Sequence, residues 1–200
     1  MKKLSLFLVS FIFILKIAYA NTYSSDPKMF VSELVNDAIS KLSDNNLSEE
    51  EKTTFIENIA VENVDIDALG LYTLGELRKS ADKSSVNKYQ QVFKKYFLKS
   101  LTSRLTDYSS NEFEIISAEK KSVNYTIVKS KILENDKQPE IKIDWRIYTK
   151  NPEKPLIRDL IVEGLSLART QKEEFSSIIK SNNDDIEVLF KTLKNFSEIE

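Results

Sequence analysis

Residues 140–150 read Glu140-Ile141-Lys142-Ile143-Asp144-Trp145-Arg146-Ile147-Tyr148-Thr149-Lys150, and apolar and polar side chains alternate through them. A period of two belongs to a β-strand with one face buried. Ile141, Ile143, Trp145 and Ile147 share that face, and Lys142, Asp144, Arg146 and Tyr148 share the other. Upstream, Phe113–Glu119 and Val123–Leu133 are rich in β-branched and aromatic residues, and downstream Leu156–Leu167 continues in the same manner. Polar turns at Lys120-Lys121, Asn135-Asp136-Lys137 and Asn151-Pro152-Glu153 join these runs, and links this short predict an antiparallel meander. Such a sheet needs helices over its apolar face. The fold class is therefore α+β, a four-stranded antiparallel meander, extendable to five strands, packed against several helices.

Helical periodicity lies on both sides of the sheet. Asp26-Pro27 opens a helix carrying Phe30, Leu34, Val35, Ala38, Ile39 and Leu42, which ends near Ser43. Ser48 caps a second helix with acidic first-turn residues Glu49, Glu50 and Glu51, and Phe55, Ile56 and Ile59 continue its stripe to about Ala60. Val64-Asp65-Ile66-Asp67 caps a short helix bearing Leu69, Leu71 and Leu74, with Gly75 at a turn or a close contact. From Ser84 to Tyr108, Tyr89, Phe93, Phe97, Leu101 and Leu105 recur every four residues and predict a long helix with an aromatic face. After the sheet, Phe175, Ile178 and Ile179, then Ile186, Leu189, Phe190 and Leu193, mark two more helices, separated by Ser181-Asn182-Asn183-Asp184. The helical part thus runs over about 26–108, the sheet over about 113–167 and the last helices over about 169–196, in a single domain spanning 21–200.

Composition removes most catalytic kits. The 200 residues include no cysteine and no histidine, so zinc sites, histidine bases and thiol nucleophiles are excluded. Gly70, Gly75 and Gly164 are too scattered for a phosphate-cradling loop. The 29 basic and 31 acidic residues form no basic cluster, which argues against nucleic acid. Met1-Lys2-Lys3, the apolar run Leu4–Leu15 and Ala18-Tyr19-Ala20 read as a secretory signal peptide over residues 1–20, cut after Ala20. The apolar run falls short of the roughly 20 residues that span a bilayer. Without Lys2, Lys3 and Lys16 the exported chain keeps 26 basic residues against 31 acidic ones, a net charge of about −5.

The run Ile157-Arg158-Asp159-Leu160-Ile161-Val162-Glu163-Gly164-Leu165-Ser166-Leu167 is followed by Thr170, Phe175, Ile178-Ile179, Ile186, Leu189 and Leu193. This pattern resembles the MlaC, or toluene-tolerance Ttg2, family of periplasmic phospholipid-binding proteins. The likeness extends to Val64-Asp65, Leu74-Gly75, Arg78, Tyr89, Phe93, Phe97 and Asp144-Trp145-Arg146, nearly the whole exported chain. Leu77, Leu101, Lys172 and Asn183 depart from the family's usual residues, which bears on ligand fit. The resemblance implies an apolar cavity for acyl chains, phospholipid as cargo, no cofactor, no metal and no reaction. It also implies a monomeric periplasmic carrier between an outer-membrane lipoprotein/porin complex and an inner-membrane ABC transporter with an MCE-domain subunit. Such a system maintains outer-membrane lipid asymmetry.

On that reading the natural cavity lies between the sheet face of Trp145 and Ile147 and the long-helix face of Phe93, Phe97 and Leu101. Leu74, Ile127, Ile143, Ile161 and Phe175 complete the candidate lining, and Arg146 is the candidate head-group contact, with a sheet-surface ion pair as its alternative role. Asp159 and Glu163 stand roughly 13 Å apart on one strand, too far to work as a catalytic pair. They are expected to bond neighbouring loops, with Gly164 at a bulge or a close backbone approach. The competing readings are a small exported cavity enzyme, an isomerase or hydrolase, and a periplasmic chaperone or adaptor. A carboxylate with a raised pKa in the cavity would favour the enzyme, and bound peptide would favour the chaperone.

Overall fold

The computed structural model describes residues 23–105, 112–134 and 139–198. The leader, the turn at Asn135-Asp136-Lys137, the continuation of the long helix to Tyr108 and the side chain of Leu105 fall outside the described residues. Helix α1 spans Pro27–Leu42, with the Asp26 carboxylate accepting from the backbone N–H groups of Lys28 and Met29 and proline in the first turn. Helix α2 spans Glu49–Asn63 and opens on a capping box in which Ser48 and Glu51 satisfy each other's backbone N–H groups. Asp65 caps α3 (Ile66–Thr73); α4 (Leu77–Ser80) and α5 (Lys83–Leu105) follow.

Strands β1 (Phe113–Ser122), β2 (Tyr125–Ile132), β3 (Ile141–Tyr148), β4 (Leu156–Val162) and β5 (Leu165–Ser166) pair antiparallel in sequence order. The run Leu156–Leu167 is not one strand. Glu163 and Gly164 adopt φ of 49° and 82°, the left-handed pair that a two-residue hairpin turn requires, and Val162 pairs Leu165 across it. A Cβ on Gly164 would meet nothing within 4 Å, so glycine serves the backbone conformation there; neither the expected bulge nor a close approach occurs. Helix α6 (Leu167–Lys180) begins at once, capped by Ser166, and α7 (Ile186–Ser197), capped by Asp185, closes the described chain.

Two apolar cores result. In the first, Phe30, Val31 and Leu34 of α1 cover the inner sheet face of Val128, Trp145, Ile147 and Ile157. Trp145 Nε1 donates to Ser130 Oγ at 2.8 Å, and that hydroxyl donates to the Ile143 carbonyl at 2.9 Å, so the indole's polar edge is satisfied inside the sheet layer. The second core lies among α3, α5, α6 and α7, around Tyr89, Phe93, Phe175, Leu189, Phe190 and Leu193. There α3 and α5 approach so closely that a Cβ on Gly70 would stand 2.9 Å from Phe93 Cδ1.

The expected opposition of Trp145 and Ile147 to the long helix is therefore replaced. Helix α1 covers that sheet face, while α5 packs against α7, α3 and α2. Val64 touches both cores and bridges to Ile157, and Asp65 donates its N–H to the Ile157 carbonyl at 2.9 Å.

Candidate functional site

The candidate lining residues divide between the two cores. Leu74, Phe93 and Phe175 are buried in the helical core, with Phe97 half-buried against it and stacked on Phe93 at 6.1 Å between ring centroids. Trp145 and Ile147 are buried in the sheet core with Ile143 packed beside them. Leu101 is half-buried on α5.

Ile127 and Ile161 lie on the other side of the sheet. Ile127 pairs with Arg146, and Ile161 pairs with Asp144, so both share the outer face with the polar side chains of β3. They do not join Trp145, because Val128 and Leu160 are the residues directly opposite it.

Arg146 lines a cleft on the outer sheet face. The cleft lies between α3 and that face and measures about 360 Å³. Ala68, Leu69, Leu71 and Ala168 supply its apolar lining, Tyr72 and Tyr125 its phenols, and Arg78, Arg146 and Arg158 its charge. Leu69 also packs against the helical core, so the floor of the cleft is continuous with apolar interior. Among the described residues lining it there is no carboxylate. The arrangement suits an amphiphile with an anionic end.

Each guanidinium is held differently. Arg158 donates from Nε to Asp65 Oδ2 at 2.8 Å and from Nη1 to the Tyr125 hydroxyl at 2.8 Å; its Nη2 lies 2.7 Å from the same carboxylate oxygen, and its guanidinium stacks 3.3 Å from the Tyr148 ring centroid. Burial opposes its charge, but the Tyr125 and Asp65 bonds outweigh that and hold its pKa above the ordinary value. Arg146 Nη1 stands 3.6 Å from Asp159 Oδ2, the ion pair expected as its alternative role. The Asp159 carboxylate is buried and also accepts from Ser166 Oγ at 2.6 Å and from the Ala168 N–H at 3.0 Å, which ties the start of α6 to the sheet. Arg78 donates from Nη1 to the Leu71 carbonyl at 3.3 Å. Glu163, by contrast, turns to the start of β3, where its carboxylate accepts from the Lys142 N–H.

A second, open groove of about 710 Å³ runs along α6, lined by Arg169, Lys172, Glu173, Lys180 and three serines, and it shares Tyr72 with the cleft. Reading the sequence for sites missed Arg158 and Tyr125 and gave Arg78 no role. One signal was present. Strict alternation through Leu156–Ile161 would put Arg158 on the face of Leu160, a charge inside the sheet core, and the register shift between Arg146 and Ile147 is what turns it outward.

A sheet and a helical layer that leave an amphiphilic, arginine-lined cleft between them define an α+β protein suited to holding a ligand. The chain belongs to the MlaC family: the family's sequence model, MlaC protein, matches residues 32–195. In structure the chain is similar to a phospholipid-binding protein from Ralstonia solanacearum, solved in complex with a phospholipid. The TM-score is 0.68 at 17% identity, over 84% of this chain and 94% of that one. Among proteins of curated function, none matches this sequence significantly.

Proposed function

We propose that this chain is a phospholipid carrier. The observation that carries the proposal is the MlaC family match across residues 32–195, a span that includes the helical core, the sheet core apart from Phe30 and Val31 at its start, and the arginine cleft. The phospholipid held by the structurally similar Ralstonia protein supports it. The acyl chains occupy the boundary at Val64, the residue that packs against both cores, with Phe93, Phe97 and Phe175 in one core and Ile143, Trp145 and Ile147 in the other, and Arg146 meets the head group. Sequestering about 30 methylenes involves a transfer term on the order of 24 kcal/mol, more than an open groove recovers. The cores therefore part around the chains.

The carrier works in the periplasm after loss of residues 1–20, as a monomer, between an outer-membrane lipoprotein/porin complex and an inner-membrane ABC transporter with an MCE-domain subunit. Its role there is to maintain outer-membrane lipid asymmetry. Among the described residues, no helix is long and apolar enough to cross a membrane. Native mass spectrometry of the exported protein, purified without detergent, is expected to show a stoichiometric adduct of phospholipid mass. Protein that carries none and takes none from vesicles refutes the reading. Phe97→Asp, which puts a charge beside Phe93, is expected to reduce lipid retention with circular dichroism unchanged; a folded variant with normal lipid content removes Phe97 from the lining.

A further inference from the structure

We propose that the cleft between α3 and the outer sheet face is a phosphate site. Through Arg78, Arg146 and Arg158 it selects phospholipids with uncompensated negative charge, such as phosphatidylglycerol, over zwitterionic ones. This inference rests on the carrier reading and adds the class of cargo. The guanidinium groups come from α4, β3 and β4, which no local repeat brings together, and they meet in one cleft of about 360 Å³.

The local charges leave a surplus. The Asp65 carboxylate faces Arg158, and Asp159 stands near Arg146 while accepting two other hydrogen bonds. Arg78 contacts a carbonyl, and the nearby Glu76 carboxylate is taken by Lys79 at 2.7 Å. Two carboxylates thus face three guanidiniums, on a chain whose net charge from residue 21 onward is about −5. Because Asp65, Tyr125 and Tyr148 already fix Arg158, little ordering remains to be done when an anion arrives.

A phosphodiester placed here has its charge met by arginine and its glyceryl side toward Leu69, whose other contacts are in the helical core. A head group ending in an ammonium brings a cation into the same positive field, whereas a glycerol head group brings hydroxyls. Beyond Tyr72 the α6 groove sets Arg169, Lys172 and Lys180 against one carboxylate, Glu173, so the field next to the cleft is positive as well.

The test is competition. Lipid-free exported protein is incubated with vesicles of equal phosphatidylglycerol and phosphatidylethanolamine, and the bound lipid is identified by mass spectrometry. Phosphatidylglycerol is expected to be enriched about fivefold over the vesicle ratio. Arg78→Gln should return the bound-lipid composition to the vesicle ratio. Lys180→Gln, which removes an equal charge from the groove outside the cleft, should keep the enrichment. Wild-type loading at the vesicle ratio overturns the proposal, and so does equal loss in both variants, which marks general surface attraction. Protein that loads neither lipid overturns the carrier reading itself. A calorimetric titration with inorganic phosphate separates the remaining source: Arg78-dependent phosphate binding in a protein indifferent to lipid class overturns the lipid assignment in favour of free phosphate.

Discussion

Two buried polar side chains, Tyr89 and Thr73, show how single residues set the interior. Tyr89 is fully buried, and its hydroxyl lies 2.8 Å from Thr73 Oγ1. The Thr73 proton is already directed at the Leu69 and Gly70 carbonyls, at 3.1 and 3.0 Å, so Tyr89 is the donor to Thr73. Burial pushes the phenol's pKa above its ordinary value, and the group stays neutral. Tyr89→Phe therefore removes one hydrogen bond and leaves Thr73 Oγ1 without a donor, an expected loss of about 1–2 kcal/mol in chemical denaturation; an unchanged midpoint would show that water or another donor replaces it. Trp145 was legible in advance because the alternation of β3 is unbroken. Ile127 and Ile161 were not, because Ile127-Val128 and Leu160-Ile161-Val162 are apolar on both faces. α3 and α6 pack against β4 on the outer side of the sheet, so apolar residues are tolerated there and pattern alone cannot assign the face.

At the scale of elements, helix starts were the most readable features because capping is local. Asp26, Ser48 and Asp65 cap their helices through bonds spanning two or three residues, whereas the cap of α7 is Asp185, one residue beyond the expected Ser181–Asp184 break. In α2 the Ser48 N–H, and then its hydroxyl, hold the Glu51 carboxyl below its ordinary value of 4.5. A carboxyl whose folded pKa is depressed contributes stability above its unfolded value and loses it as pH falls through the folded one. Glu51→Gln keeps the capping geometry but does not titrate. Its thermal midpoint should fall less steeply than wild type as pH drops below 4.5, and parallel pH profiles would show that the box does not contribute to acid sensitivity. The Glu163-Gly164 hairpin was misread because Leu165 and Leu167 resume the apolar pattern of β4 directly after the two turn residues; the positive φ angles and the Val162–Leu165 pairing reveal the reversal.

For the whole molecule the decisive feature is that the apolar residues form two cores joined at Val64. The parallel bridge between Val64 and Ile157 sits where the cores must part if acyl chains enter between them, and the adjacent Asp65 holds Arg158 at the cleft. Because the chain has no cysteine, Val64→Cys with Ile157→Cys would form a unique disulfide, since bridged partners stand roughly 5 Å apart, within the usual Cα range. The oxidised double variant is expected to keep its fold and stop exchanging lipid with vesicles until a reductant is added. Exchange at the reduced rate while oxidised would place the acyl chains elsewhere.

The amino-acid order by itself determined the α+β class, the antiparallel meander, the starts of the first three helices and the family. All of these follow from periodicity, capping and turn chemistry that act over a few residues. Tertiary structure decided which helix covers which sheet face, the division of the candidate lining between two cores, and the meeting of Arg78, Arg146 and Arg158 in one cleft. Those outcomes depend on strand register, on a bulge beside Arg158 and on packing between residues as far apart as Asp65 and Arg158. Contacts at that separation are set by the summed fit of many side chains, which no local pattern records.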